Sequence, residues 1–393
     1  MSLFSLTKNS KYKTYSFLGI KVTLPRKEYK KTLRLYKKLP KNPLLKTDGY
    51  SLVGNFSRIY GESQVAKDFM KALDKFKISY DKSELSVAAN PPQYKEKITF
   101  TTAPYATDKR YINSSVLFWE FESGMMEARP YLFDGLQRVI VFSDFNFRYF
   151  NTLVPPKIKL VKLSYPFDFD AKPTISADEM RSRYGLKQTD FVVLFCFSYS
   201  SSYFRKNPEA VLDAFALALE EKGNAKLILK NQGGIKNDYE QRLLAKIRQL
   251  HLEQKVLLLN EDLSRTEILS LINCCDVYLS LHRGEGLGLS MLEAMSLKKP
   301  VIATNYGGNT EFVKDGIAFP INYKLVEPQE IDMKDYQSVR YWAEPDINQA
   351  AECLRYCYEK PEKAEKIGNK GFEFVAKQFS AERFLTSLRE GLI

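Results

Sequence analysis

The sequence predicts an α/β protein: two Rossmann-like domains whose parallel sheets face each other across a cleft. Three observations predict it. Short apolar runs rich in β-branched and aromatic residues alternate with amphipathic stretches, the pattern of parallel strands covered on both faces. That alternation begins near residue 50, then restarts at FVVLFCF after a Pro/Asp/Lys-rich stretch at 165–176. Finally, 393 residues hold two domains or more at roughly 150 residues each.

Taken in order, YSLVGNF at 50–56 reads as a strand and 61–76 as a helix with an apolar stripe. Strands follow at 97–103, 116–119, 138–142 and 157–163. The second series has strands at 191–197, 226–230, 255–259, 276–281 and 300–304. Between them lie helices at 208–221, 239–250, 265–273 and 290–297. A second glycine turn, NYGGNTEF, opens a helix at about Asn309. Residues 323–345 have weak periodicity and read as a long loop. Asp346 reads as an N-cap with Gln349 three positions on, and 380–392 as a last helix. The domains expected are a basic N-terminal arm at 1–46, a first domain at 47–165, a second at 166–378, and a terminal helix at 379–393 that crosses back to the first.

Composition narrows the function. The net charge is +12, and residues 1–46 alone hold 13 basic side chains against one acidic, so the whole excess sits there. Aromatic and aliphatic residues are interleaved with those charges. An anionic membrane surface is the expected partner of this arm, since each Lys or Arg near such a leaflet contributes about 1 kcal/mol. A nucleic acid and a solvated tail are the other readings. No stretch approaches the roughly 18 apolar residues of a transmembrane helix. The five cysteines form no CxxC pair, and there is no apolar leader at the N-terminus, so a reducing cytoplasm fits. With two histidines, a histidine-based zinc site has almost no material. The D-x-D at Asp168 and Asp170 falls in the interdomain stretch and reads as a solvated loop.

The chemistry concentrates in His282–Glu311. A strand runs into HRGEGLGLS and then a helix. Gly284, Gly286 and Gly288 let backbone approach a ligand, and a helix start suits a phosphate. Glu285 precedes the helix and Glu293 lies within it, where a carboxylate can accept from the vicinal hydroxyls of a ribose or hexose. Gly307 and Gly308 make the second turn at an adjacent strand end.

On these residues the sequence resembles glycosyltransferase family 4, the retaining GT-B enzymes. The signature E-x7-E stands as Glu285-Gly-Leu-Gly-Leu-Ser-Met-Leu-Glu293, followed by Pro-Val-Ile-Ala-Thr and Gly307-Gly308. A second piece, SYSSSYFRKNP, carries Arg205 and Lys206 where the family places a pair of cations on the donor diphosphate. The segments GYSLVGNFSRIYGESQVAKDFMKAL, VLFWEFE and YWAEPDINQAA extend the resemblance, over about 48–378, to a subgroup of bacterial O-antigen and capsular polysaccharide mannosyltransferases. The resemblance implies a nucleotide-sugar donor, GDP-mannose in this subgroup, and a glycan or lipid-linked acceptor at the inner face of the cytoplasmic membrane. No cofactor, metal or nucleic acid is expected.

Carried over by residue, Arg205 and Lys206 would neutralise the leaving diphosphate, which removes the need for a metal. Glu285 would hold donor-sugar hydroxyls and Glu293 the ribose. Gly286, Gly288, Gly307, Gly308 and Asn309 would line the phosphate and sugar end. In the first domain, Gly54 and Arg58 belong to a loop facing the donor. Glu120 would position or deprotonate the acceptor hydroxyl. Several family members have a histidine near the donor sugar in the first domain; here no histidine precedes His251, and Glu120 is a candidate substitute. His282 resembles the family's own His-Arg pair, with core packing as the other reading. The competing functions are another GT-B enzyme, such as a phosphorylase or epimerase, and a catalytically silent scaffold at the membrane.

Overall fold

The computed structural model describes residues 4–8, 12–17, 20–25, 45–56, 61–84, 93–100, 110–124, 130–232 and 237–392. Strands β1 (Phe4–Lys8), β2 (Tyr12–Phe17) and β3 (Ile20–Pro25) form an antiparallel meander. The basic arm is therefore structured over residues 4–8, 12–17 and 20–25, which disfavours the solvated-tail alternative for that part.

The first lobe is a six-stranded sheet in the order β5-β4-β6-β7-β8-β9, parallel at every pairing. Its strands are β4 (Lys46–Gly54), β5 (Ser79–Glu84), β6 (Tyr94–Phe100), β7 (Ile112–Val116), β8 (Arg138–Val141) and β9 (Lys159–Lys162). Helix α1 (Gly61–Lys75) lays Val65, Ala66, Phe69, Met70, Ala72 and Leu73 on this sheet. Helix α2 (Asp144–Asn151) is capped by Ser143, whose hydroxyl accepts from the amide of Asn146.

The second lobe has the strand order β12-β11-β10-β13-β14-β15, again parallel throughout. It comprises α3 (Ala177–Arg183), β10 (Phe191–Phe197), α4 (Tyr203–Lys206), α5 (Pro208–Leu219), β11 (Ala225–Asn231), α6 (Asn237–Gln249), β12 (Val256–Leu259), α7 (Arg265–Cys274), β13 (Val277–Ser280), α8 (Leu289–Ser296), β14 (Val301–Thr304) and β15 (Phe319–Ile321). Chain order reverses between β10 and β13, so the crevice at their carboxyl ends is the natural ligand site. A capping box, Ser264 with Glu267, fixes the start of α7.

Three departures from the sequence reading have physical reasons. Residues 323–345 are not a plain loop: β16 (Tyr323–Val326) and β17 (Trp342–Pro345) pair antiparallel around a 3-10 turn. Four-residue strands are too short to show a period. The strand expected at 116–119 ends at Val116, because Leu117, Trp119 and Phe121 leave the sheet to build a small core with Tyr306, Tyr336 and Trp342 of the other lobe. After Gly307 there is a single 3-10 turn, Gly308–Glu311, instead of a helix.

Helix α9 (Ile347–Glu359) starts at the Asp346 cap, α10 (Pro361–Gln378) follows, and α11 (Ala381–Leu392) returns to the first lobe. There Phe384 meets Phe69 edge-on at 4.9 Å between ring centres, and Arg138 donates to the carbonyl of Leu392 at 2.8 Å. Among the described residues, no helix is long and apolar enough to cross a membrane.

Candidate active site

The turn after β13 is built on buried anchors. His282 is fully buried. Its Nε2 lies 3.0 Å from the carbonyl of Tyr306, which can only accept, so Nε2 carries the proton and Nδ1 takes the hydroxyl of Ser280. Burial pushes the imidazole down to about 4, so it stays neutral. This is the packing role. Arg283 is bound bidentately by Glu344 at 2.6 and 2.9 Å and lies over the Trp342 ring. Its backbone amide donates to the carbonyl of Arg205, which ties the turn to α4.

The glycines serve close approach between backbones. A Cβ at Gly284 would lie 2.8 Å from the Glu120 carbonyl of the first lobe, and one at Gly308 would lie 2.0 Å from the Gly286 carbonyl. The two glycine turns thus interlock, with Gly308 N donating to Glu285 O at 2.7 Å. Gly307 sits against the Glu285 backbone, and Gly288 caps α8. Asn309 is fully buried, and its side chain is spent on Thr304 and His282. Gly54 ends β4, packed against Phe56 and Phe100. Arg58 lies outside the described residues.

The structure brings Arg205, Lys206, Glu285 and Glu120 together. Lys206 Nζ lies 2.5 Å from Glu285 Oε2, and Arg205 Nη1 lies 3.8 Å from the same oxygen. Arg205 Nη2 is 4.0 Å from Glu120 Oε1, so the first lobe contributes a carboxylate to the group. Arg205 is buried, with Nη1 on the Gly284 carbonyl and Nη2 on Ser201; its Nε is buried without a partner. Its donors mainly brace the loops, and Lys206, which is less buried, is the more accessible cation.

Electrostatics separates the carboxylates. Burial pushes Glu285 up, but Lys206 and Arg205 overcome it and hold the carboxyl down to about 2. Burial raises Glu120, partly offset by Arg205. Two nearby carboxyls with opposite tendencies suit distinct charge and proton-accepting roles. Lys206 is lowered by burial first, against the pull of Glu285.

Glu293 stands in a second group. Its Oε1 is 3.3 Å from Arg265 Nε, and Arg265 Nη1 reaches Asp68 of α1 at 2.7 Å and Asp168 at 3.5 Å. Tyr165 donates to Asp68 at 2.7 Å, and Lys71 pairs with Asp168. Burial raises Glu293 to about 7 despite Arg265. Burial pushes the Cys196 thiol, near the end of β10, up to about 12, with Lys230 opposing and Glu293 adding to the rise.

Sequence reasoning missed Asp68, Arg265 and Tyr165. One signal was available: Asp68 falls three after Val65 and four before Ala72, inside the apolar stripe of its helix. The D-x-D reading is corrected in part, because Asp168 is buried and ion-paired instead of solvated. Among the described residues, no cluster of three or more His, Cys, Asp or Glu side chains is arranged to hold a metal ion.

Comparison with known proteins adds the following. The family described as "Glycosyl transferases group 1" matches residues 176–374. A putative glycosyltransferase EpsD of Bacillus subtilis is 25% identical over 216 residues, covering 55% of this chain and 49% of the relative. An alpha-monoglucosyldiacylglycerol synthase of Streptococcus pneumoniae is 27% identical over 163 residues, covering 42% and 34%. The match thus spans half or less of these curated relatives. Among solved structures, Anabaena HepE in complex with UDP and glucose aligns with a TM-score of 0.64 at 17% identity, covering 88% of this chain and 99% of that one. Sucrose-phosphate synthase of Thermosynechococcus elongatus gives 0.63 at 14% identity, covering 88% and 98%. These likenesses show the two-lobed GT-B fold.

Proposed function

We propose, from the premise that this chain belongs to the group 1 glycosyl transferases, that it moves a hexose from a nucleoside-diphosphate sugar to a hydroxyl of a glycan acceptor, with retention of anomeric configuration and without a metal. The observation that carries this reading is the Lys206–Glu285–Arg205 cluster at the β10/β13 crevice, closed from the other lobe by Glu120. Lys206 would exchange its contact with Glu285 for the leaving diphosphate, where fixed positive charge lowers the barrier most. Glu285, kept ionised, would then accept from donor-sugar hydroxyls. Glu120 would take the acceptor proton, and Glu293 would accept from the ribose diol.

Subgroup resemblance favours GDP-mannose as donor and a lipid-linked glycan of surface polysaccharide synthesis as acceptor. A relative named for a diacylglycerol-linked product supports a lipid-borne acceptor. The basic segment 1–46 would then hold the enzyme on the inner membrane face.

A thermal-shift and donor-hydrolysis screen tests the reading. GDP, UDP, dTDP and their sugars are assayed on wild type and Glu293→Ala, with and without EDTA. One diphosphate is expected to stabilise the wild type, to lose that effect in Glu293→Ala, and to be insensitive to EDTA. No stabilisation by any nucleotide at millimolar concentration overturns the donor site and leaves the silent scaffold.

A further inference from the structure

The buried group around Arg265 joins the lobes at the carboxylate assigned to the ribose, and nothing in the transfer chemistry requires it. Arg265 stands at the start of α7 in the second lobe; Asp68 lies mid-way along α1 in the first, 197 residues away in sequence. Asp68 is wholly buried at 0% exposure and Glu293 nearly so at 10%, while the Arg265 side chain keeps 18% exposure. Two carboxylates thus share one guanidinium, with Asp168 as a third at longer range. The hold is incomplete: Arg265 Nη2 is buried with no hydrogen-bond partner. A guanidinium that lacks a full set of acceptors can redistribute between carboxylates at small cost, while stripping one carboxylate of its cation in a buried site is expensive.

We infer that Arg265 is a positioning residue for Glu293, and that Asp68, reaching in from the other lobe, sets how much of that guanidinium Glu293 can use. The inference rests on the reading of Glu293 as the ribose carboxylate. A diol donates to an ionised carboxylate, so nucleotide affinity follows the charge of Glu293. The groups facing Glu293 are Arg265 from α7, Asp68 from α1, Tyr165 from the segment before α3, Cys196 from β10 and Tyr278 from β13, with Asp168 reaching it only through Arg265. Of these, Arg265 favours the charged form and Asp68 opposes it. Asp68 is itself pushed up by burial and drawn back by Arg265, Tyr165 and Gln64.

The sign follows. Glu293, raised to about 7, is protonated below that pH and ionised above it, so binding strengthens as pH rises through 7. Removing Asp68's charge moves the transition to lower pH; removing Arg265's charge moves it to higher pH. A group that merely supports the fold would weaken binding at every pH without moving the transition.

The test is titration of full-length protein with GDP and UDP from pH 5.5 to 9, with folding checked by thermal unfolding. Wild type is expected to bind about tenfold more weakly at pH 6 than at pH 8. Asp68→Asn is expected to shift the midpoint acidic and Arg265→Gln to shift it basic, each by about half a unit or more. Arg265→Lys, which keeps the charge but cannot bridge both carboxylates, serves if Arg265→Gln does not fold, and is expected to shift basic by less. Shifts in one direction, or none, overturn the inference. Glu293→Gln that binds diphosphate as tightly as wild type overturns the ribose reading and the inference with it. Glu293→Gln that binds weakly while Asp68→Asn leaves the midpoint in place overturns the inference alone.

Discussion

Glu285 and Glu293 lie eight residues apart and both are largely buried, yet their surroundings drive them in opposite directions. Glu285 faces two cations of its own lobe and is held down to about 2. Glu293 shares one cation with Asp68 of the other lobe and Asp168 of the interdomain stretch, and burial raises it to about 7. Burial acts upward on both; what differs is how many positive charges each can claim. The nearest cation to Glu285 is Lys206 of its own lobe, whereas the cation of Glu293, Arg265, is shared across the cleft with Asp68 and registers movement between the lobes. The same sequence signature therefore supplies one carboxylate whose charge is fixed and one whose charge depends on the partner lobe.

The strongest attack on this contrast is Lys206→Ala. It leaves Glu285 facing Arg205 alone, and sugar transfer is expected to fall by about 10²–10³-fold in turnover, as for loss of one group on a developing oxyanion. Turnover within tenfold of wild type removes Lys206 from the leaving-group role. A second, smaller effect concerns stability. Ionising a carboxyl whose folded value is raised costs stability, beginning above its usual 4.5 and levelling off above about 7. Nucleotide-free wild type should lose about 1 kcal/mol between pH 6 and pH 8 through this group, and Glu293→Gln should not, as read by denaturant unfolding at both pH values. Parallel pH curves would show that Glu293 is not the raised group. Smaller still, Tyr165→Phe removes the 2.7 Å donor to Asp68 and should cost roughly 0.5–1.5 kcal/mol of folding stability. A neutral substitution would mean that Arg265 and Gln64 suffice for Asp68.

The same contrast separates what was legible in the sequence from what was not. Five of the six strands in each parallel sheet could be read as short apolar runs between turn residues; β5 (SYDKSE) is too polar and β15, three residues long, too short to show. The Glu285 cluster could be read through the resemblance to glycosyltransferase family 4, which puts Arg205 and Lys206 after β10 and the E-x7-E after β13 at one nucleotide-sugar donor. The Glu293 group could not, since Asp68, Asp168 and Arg265 come from three distant segments and meet only when the lobes close. Asp168 looked like a loop carboxylate because burial from the opposite lobe has no local trace. The resemblance puts the backbone of Asn309 beside the ligand; its side chain braces His282 and the end of β14, which no local pattern shows. Four-residue strands such as β16 and β17 were invisible for want of a period.

Helix α11 gives the molecule an order of assembly opposite to its order in the chain. The apolar side of α1 that receives Phe384, and the edge of β9 that receives Leu388 and Leu392, stay uncovered until residue 392 has left the ribosome. By then the second lobe's strands β10 to β15 have all been available to pair. During synthesis the lobe that comes first is the lobe completed last, with an exposed hydrophobic seam for most of that time.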